Sequence, residues 1–271
     1  MTQQNMGALT IQFLDEWEGA HGFVQRTMPT PTLDEKERAD DASAVIVKLR
    51  YAGVCGTDRG IWFRNVFGDA IKKSLEEERV SVRIIGHELF GEIVDAGSAA
   101  LRDGWIVGDT VTAESHITCG TCYQCLRKEF HVCTQEKILG ISYQGCFAEY
   151  IKLPAKVLWK TDLSRIRTEL ACLQEPFGNG VHAVTSVGVQ EKNIAVLGCG
   201  PVGLYVILVA RALGAKQIIA VDPLESQRKL ALLYGASVAL SPASDKTDSF
   251  DEELQRRIVE NTDSVGADCI F

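Results

Sequence analysis

The stretch CGTCYQCLRKEFHVC places Cys119, Cys122, Cys125 and Cys133 at the spacing C-x2-C-x2-C-x7-C. Four soft thiolates satisfy the tetrahedral preference of Zn²⁺, and close spacing lets a short loop fold round one ion with little strain. The run does not close as C-x3-C-P, the bacterial iron–sulfur form, because seven residues precede Cys133 and Thr134 follows it. Four cysteines leave no coordination position for a substrate. The expected role is a structural zinc lobe at about residues 115–135, with an iron–sulfur centre or unligated thiols as the alternatives.

A second pattern is VLGCGPVG, which reads G-x-G-x-x-G at Gly198, Gly200 and Gly203. The first glycine permits a tight turn and the second lets a pyrophosphate approach the backbone. The third lets a helix pack on its strand, with Pro201 and Val202 in the helix's first turn facing the negative charge. Asp222 ends the next apolar run at the distance expected of the acid that accepts hydrogen bonds from a ribose. A carboxylate there repels a 2′-phosphate, so the expected cofactor is NAD rather than NADP.

These residues need elements to position them. Up to about Pro154 the chain shows short alternating or β-branched runs, such as AVIVKLRYAGV, GEIVDAG and DTVTAES, separated by Gly and Asp. From Glu169 the texture changes. EPFGNGVHAVTSVG opens as a helix, and NIAVLGCGPVGLYVILVARALGAKQIIAVD alternates strand, glycine turn, helix and strand. Further helices are expected at 224–234 and 251–261, a short strand near Val238, and a last strand in ADCIF. The fold class is α/β plus β: a mainly-β domain over 1–174 and a Rossmann-type, doubly wound parallel sheet over 175–271. Only four of the six strands of such a sheet can be found, so the chain reads as C-terminally truncated. Asp69–Arg79, DAIKKSLEEER, reads as a solvated helix inserted between strands.

Composition narrows the classes of function. The 271 residues are 46% hydrophobic and 24% charged, with a formal net charge of -8. That balance supplies no basic face for a nucleic acid. The start MTQQNMGALTIQF lacks the form of a signal peptide, and the longest apolar run is interrupted by glycines, a proline and Arg211, so no membrane span is expected. A cytoplasmic protein with reduced cysteines is the reading, and Cys146, Cys172, Cys199 and Cys269 fall in apolar contexts as core packing.

The cysteine spacing, preceded by GHE and followed by the glycine turn, resembles the medium-chain zinc-dependent alcohol dehydrogenase family over nearly the whole chain. The resemblance implies a GroES-like catalytic domain and two zinc ions per chain. Cys55 in GVCGTD, His87 in IIGHELFGE and Glu175 in QEPFGN stand in the order of that family's catalytic-zinc ligands. Each is weak alone. Glu88 resembles the carboxylate beside that site, with an ion-pair role as its plain alternative. Thr57 resembles the hydroxyl that passes on the alcohol proton, or else a turn residue beside Asp58. Arg228 resembles the contact to the adenosine ribose, or else a surface helix charge. Relatives read C-G-T-D-x-H, but Gly60 stands at the histidine position. A proton relay would then end on water, on Asp58 or on a cofactor hydroxyl, or the activity is altered.

Within the family, ESHITCGTCYQC, FHVC, GCFAEY and LQEPFGNGVHAV look most like L-threonine 3-dehydrogenases. This implies oxidation of L-threonine to 2-amino-3-oxobutanoate, with His116 near the substrate, and a homo-tetramer. A polyol or sugar dehydrogenase is the second reading, and a non-catalytic zinc module is a third.

Overall fold

The computed structural model describes residues 4–12, 22–36, 38–242 and 251–271. The chain divides into two compact units, Met1–Glu175 and Pro176–Phe271.

In the first unit the elements run β1 (Asn5–Gln12), β2 (Val24–Pro29), β3 (Ala44–Gly53), α1 (Gly56–Trp62), α2 (Gly68–Glu78), β4 (Val82–Ile84), β5 (Glu88–Ala96) and α3 (Ser98–Arg102). They continue as β6 (Thr110–Ala113), β7 (His116–Ile117), α4 (Tyr123–Leu126), β8 (Lys137–Ile138), β9 (Tyr150–Pro154) and β10 (Leu158–Lys160). A five-stranded antiparallel sheet in the order β10-β6-β5-β3-β9 forms the frame, beside a three-stranded sheet β2-β1-β4 and the ribbon β7-β8. β3 and β5 are its central strands because their β-branched and aliphatic residues suit burial. Val45, Val47, Leu89 and Ile93 are all wholly buried in one core with Val111, Ile151 and Leu153. Their register pairs Gly53 with Glu88. The residues just past β3 and just before β5, Cys55 and His87, therefore leave the sheet at the same end.

α2 differs from the solvated helix that its charges suggest. Ile71, Ser74 and Leu75 are buried, and Ile71 and Leu75 join a core with Ile11, Ile61, Ile85 and Ile141. The spacing i, i+3, i+4 puts these side chains on one face, which outweighs the charged majority.

α5 (Gln174–Val187) carries the chain onward to β11 (Asn193–Leu197), α6 (Pro201–Ala212), β12 (Gln217–Val221), α7 (Glu225–Tyr234), β13 (Val238–Leu240), α8 (Glu252–Glu260) and β14 (Cys269–Ile270). The four strands form a parallel sheet ordered β13-β12-β11-β14. Chain order reverses at β11, the topological switch point at which such sheets bind ligands beyond their strand ends. The glycine turn follows that strand. Val196, Val206, Ile207 and Ile218 pack its helix onto the sheet. Cys146, Cys172 and Cys199 are buried and Cys269 is partly so, and all nine cysteines are free thiols. Among the described residues no helix is long and apolar enough to cross a membrane.

Candidate functional site

Cys55 sits at the N-cap of α1 with its backbone N–H donating to Asp58 Oδ2 at 2.8 Å. An acid three residues into the helix thereby fixes the turn that presents the thiol. The N–H and hydroxyl of Thr57 both bond to that thiol, and so does His87. His87 directly precedes β5, and its Nδ1 lies 3.7 Å from the second oxygen of Asp58. That oxygen is buried and has no hydrogen-bond partner, so its nearest electrostatic neighbour is the imidazole.

Glu88 completes the group. Atoms of Cys55, His87 and Glu88 able to bind a metal all lie within 4.8 Å of one another. Gly53 is what makes room: a Cβ there would stand 2.0 Å from Glu88 Oε2. Glu175, the third ligand the sequence points to, lies outside that group of atoms, but its charge acts on both His87 and Glu88. Glu175 accepts a hydrogen bond of 2.5 Å from Ser115 Oγ and begins α5 next to Gln174, whose amide donates to Thr161 Oγ1 and to the carbonyl of Ala171. His116 is not among the atoms of that group. Its side chain is half exposed on the β7–β8 ribbon and lies 2.8 Å from Glu136 Oε2, while its neighbour Ser115 is buried. Successive residues of an extended chain point to opposite sides.

Cys55 and His87 shift each other's titration. The hydrogen bond from His87 is the main cause holding the Cys55 thiol below its ordinary value, against the opposing effect of burial. Burial alone would lower His87, but the Cys55 hydrogen bond and the negative charges of Asp58, Cys55 and Glu175 outweigh it and push the imidazole up to about 9. Burial raises both Asp58 and Glu88 above the usual carboxylate values. A sulfur, an imidazole nitrogen and a carboxylate, mutually close, form a donor set that suits zinc with one position open.

At the family's histidine position, a Cβ on Gly60 would meet Val66 Cγ2 at 2.6 Å. Val66 fills the place of a larger side chain.

The four lobe cysteines form a second group. Their sulfurs lie 3.6 Å (Cys119–Cys133), 3.9 Å (Cys119–Cys125) and 3.9 Å (Cys122–Cys133) apart. A tetrahedron with Zn–S arms of about 2.3 Å has edges of about 3.8 Å. The backbone N–H groups of Thr121 and Cys122 point at Cys119 Sγ, and that of Cys119 points at Cys133 Sγ. They stabilise thiolate charge. The cage fits a four-sulfur zinc centre.

In the second unit Gly198 has φ of 95°, and a Cβ on Gly203 would come within 1.9 Å of the Gly198 carbonyl oxygen. Gly200 caps α6, Pro201 is its first residue, and Val202 is half exposed beside it. Asp222 is buried just past β12. Its Oδ2 accepts from Cys199 N and its Oδ1 from Leu224 N, each at 2.8 Å. The carboxylate is thus tied to the glycine turn. Arg228 donates from Nη1 to the carbonyls of Asp222 and Pro223, each at 2.7 Å, which closes the start of α7 over that strand end.

Sequence reasoning missed Gly53 and Ser115. Gly53 had a legible signal, a glycine ending a β-branched strand; Ser115 had none beyond its place beside His116.

Fold and site together combine a β domain carrying two groups of metal-binding side chains with a parallel sheet carrying a dinucleotide-type glycine turn. The alcohol dehydrogenase GroES-like domain matches residues 41–163 and the zinc-binding dehydrogenase domain matches residues 201–271. The chain belongs to the zinc-dependent alcohol dehydrogenase family. It is 38% identical over 224 residues to an L-threonine 3-dehydrogenase of Pyrococcus horikoshii, covering 83% of this chain and 60% of that protein. Against the L-threonine 3-dehydrogenase of Bacillus subtilis it is 36% identical over 225 residues, with the same coverage of each. Among solved structures it resembles a zinc-binding dehydrogenase of Sinorhizobium meliloti bound to NADP, with TM-score 0.72, 28% identity, and 90% of this chain and 64% of that one covered. It also resembles galactitol-1-phosphate dehydrogenase of Escherichia coli, with TM-score 0.77, 25% identity, and 94% and 66% covered. The chain spans about 60% of the length of the two threonine dehydrogenases.

Proposed function

We propose that this chain serves an NAD-dependent zinc dehydrogenase that oxidises a secondary alcohol, with L-threonine as the substrate and 2-amino-3-oxobutanoate as the product. The observation that carries the reading is the convergence of Cys55, His87 and Glu88 at one end of the sheet, with the Thr57 hydroxyl against the thiol. Cys55 and His87 would hold a catalytic zinc with a carboxylate as third ligand, and Cys119, Cys122, Cys125 and Cys133 a structural one. A zinc in the first site supplies Lewis-acid polarisation of the substrate hydroxyl.

The chain's own groups do the rest. Asp58 anchors Cys55 through its backbone N–H and faces the His87 ring, so one buried carboxylate orients both ligands. Thr57 Oγ1 takes the hydroxyl proton; with Gly60 in the histidine's place, that proton continues to water. The turn at Gly198, Gly200 and Gly203 offers backbone N–H groups and the start of α6 to a pyrophosphate. Asp222, tied to that turn, accepts from the ribose hydroxyls. Its charge supports NAD.

Polyol oxidation is the second reading, favoured by Gly60 and the Val66 side chain that occupies its surroundings. A tetrameric assembly and a cytoplasmic location belong to the same proposal, supported by the family resemblance and by the free thiols. The test is zinc per purified chain by elemental analysis, followed by NADH formation from L-threonine and from polyols. About two ions in the wild type and about one in Cys55→Ser are expected. One ion in both proteins refutes the catalytic site and leaves a zinc module, and faster turnover of polyols than of threonine moves the substrate to the second reading.

A further inference from the structure

One cavity of the first unit shares no residue with either group of metal-binding side chains. It measures about 250 Å³ and lies where β1, β2 and β4 meet the segment running from Tyr143 into β9. Met6, Met28, Pro29, Pro31 and Ile84 make its walls apolar. The polar side chains in the lining are mostly committed elsewhere. Lys152 Nζ donates to Asp41 Oδ1 at 2.8 Å and to the Thr32 carbonyl at 3.4 Å, so its charge is matched by a buried carboxylate. Gln144 Oε1 accepts from the backbone N–H of Ile84 at 2.8 Å. Tyr143 and Tyr150 complete the lining. Burial first, and then the negative charges of Asp41, Glu78 and Asp40, push the Tyr143 phenol up to about 12, so it stays a protonated donor.

We propose that this cavity binds an uncharged, largely apolar small molecule the size of about two fused rings, with one hydroxyl or carbonyl oxygen paired to a tyrosine phenol. Size sets the first limit. A cavity of about 150 Å³ holds benzene, so this one admits a second ring. Charge sets the second limit. An anion would enter the field of Asp41, Glu78 and Asp40, which already opposes loss of the Tyr143 proton. A cation would find Asp41 taken by Lys152. Burying either charge without a partner is costly, whereas burying an apolar body is favourable. The site is preformed, because Gln144 and Gly145 are both hydrogen-bonded to Ile84 and hold the opposing walls together. Its occupancy is independent of what Cys55 and His87 hold.

The test is isothermal titration calorimetry of the intact chain with 2-naphthol, 2-naphthoate and 2-naphthylmethylammonium. The neutral probe is expected to bind with a Kd of about 1 mM or tighter, and each charged relative at least about tenfold more weakly. Met28→Trp brings an indole into the cavity from the edge strand β2 and should weaken 2-naphthol by about tenfold or more. Replacing both phenols, Tyr143→Phe with Tyr150→Phe, keeps the walls and should weaken it by about three- to tenfold. Thermal unfolding serves as the folding control for both variants. Absence of 2-naphthol binding by the wild type overturns the proposal, as does naphthoate or the ammonium binding equally well. Affinity for 2-naphthol that Met28→Trp leaves unchanged overturns it too. So does binding that disappears when chelation empties the Cys55 site, since the probe would then sit there.

Discussion

Two glycines in one turn are expected to answer differently to the same added methyl group. At Gly203, in the first turn of α6, an alanine Cβ would lie 1.9 Å from the Gly198 carbonyl oxygen and 3.0 Å from its carbon. The nearer atom is backbone, so the helix and the turn must separate by more than an ångström. Such overpacking costs about 3 kcal/mol. Replacing a helical glycine returns about 1 kcal/mol, which leaves a net loss of about 2 kcal/mol. At about 2–4 °C per kcal/mol for a chain of this size, Gly203→Ala should lower Tm by about 4–8 °C. At Gly200 an added Cβ meets nothing within 4 Å and φ is -69°, a conformation that alanine adopts freely. Gly200→Ala should therefore unfold within about 2 °C of the wild type, yet bind NADH at least about tenfold more weakly if the pyrophosphate approaches the backbone there. Differential scanning fluorimetry and NADH fluorescence titration read the two effects separately. A Gly203→Ala protein as stable as the wild type would refute the close-packing argument, and unchanged NADH binding by Gly200→Ala would refute the placement of the phosphate.

Three further outcomes follow from single contacts. Gly53→Ala puts a methyl group on the Glu88 carboxylate and should weaken zinc at the Cys55 site by about tenfold or more while the lobe keeps its ion, as measured by chelator competition. Arg83 is fully buried, and its Nη2 donates to Glu78 Oε2 at 2.9 Å and Ser74 Oγ at 3.1 Å while Nε and Nη1 have no partner. Glu78→Gln should cost about 3 kcal/mol by urea unfolding, and Arg83→Met should cost less, because a buried charge without its partner is worse than an apolar side chain. Asp41 is buried and bound to Lys152 Nζ at 2.8 Å and to the N–H of Asp34. Burial alone would raise its pKa, but the Lys152 bond and the Asp34 N–H overcome this and hold it below 3.8. A depressed carboxylate stabilises the fold fully above its unfolded value and loses that contribution as pH falls through the folded one. The stability gap between wild type and Asp41→Asn, about 2 kcal/mol near neutrality, should therefore shrink as pH drops below 3.8; a constant gap would refute the assignment.

Much of the second unit was legible because its signals are local. The strand–glycine turn–helix order, Asp222 at the next strand end, and the helices at 225–234 and 252–260 each follow from periodicity within one element. The solvated reading of α2 failed because two apolar residues, Ile71 and Leu75, decide which face is buried, and charge counts do not show that. His116 was legible by position, but its contact with Glu136 and the inward turn of Ser115 were not, because they depend on strand alternation in the folded ribbon.

The sequence by itself determined the groups that close over short distances. Four cysteines within fifteen residues can hardly avoid meeting, and three glycines within six residues prescribe one turn. The catalytic cluster is of the other kind. Cys55 and Glu88 are thirty-three residues apart, and the strand register pairing Gly53 with Glu88 brings them together. That Glu88 rather than Glu175 lies among the mutually close donor atoms follows from the room left at Gly53. Register and side-chain hydrogen bonds are set by packing the whole sheet, so only the tertiary structure could make that choice.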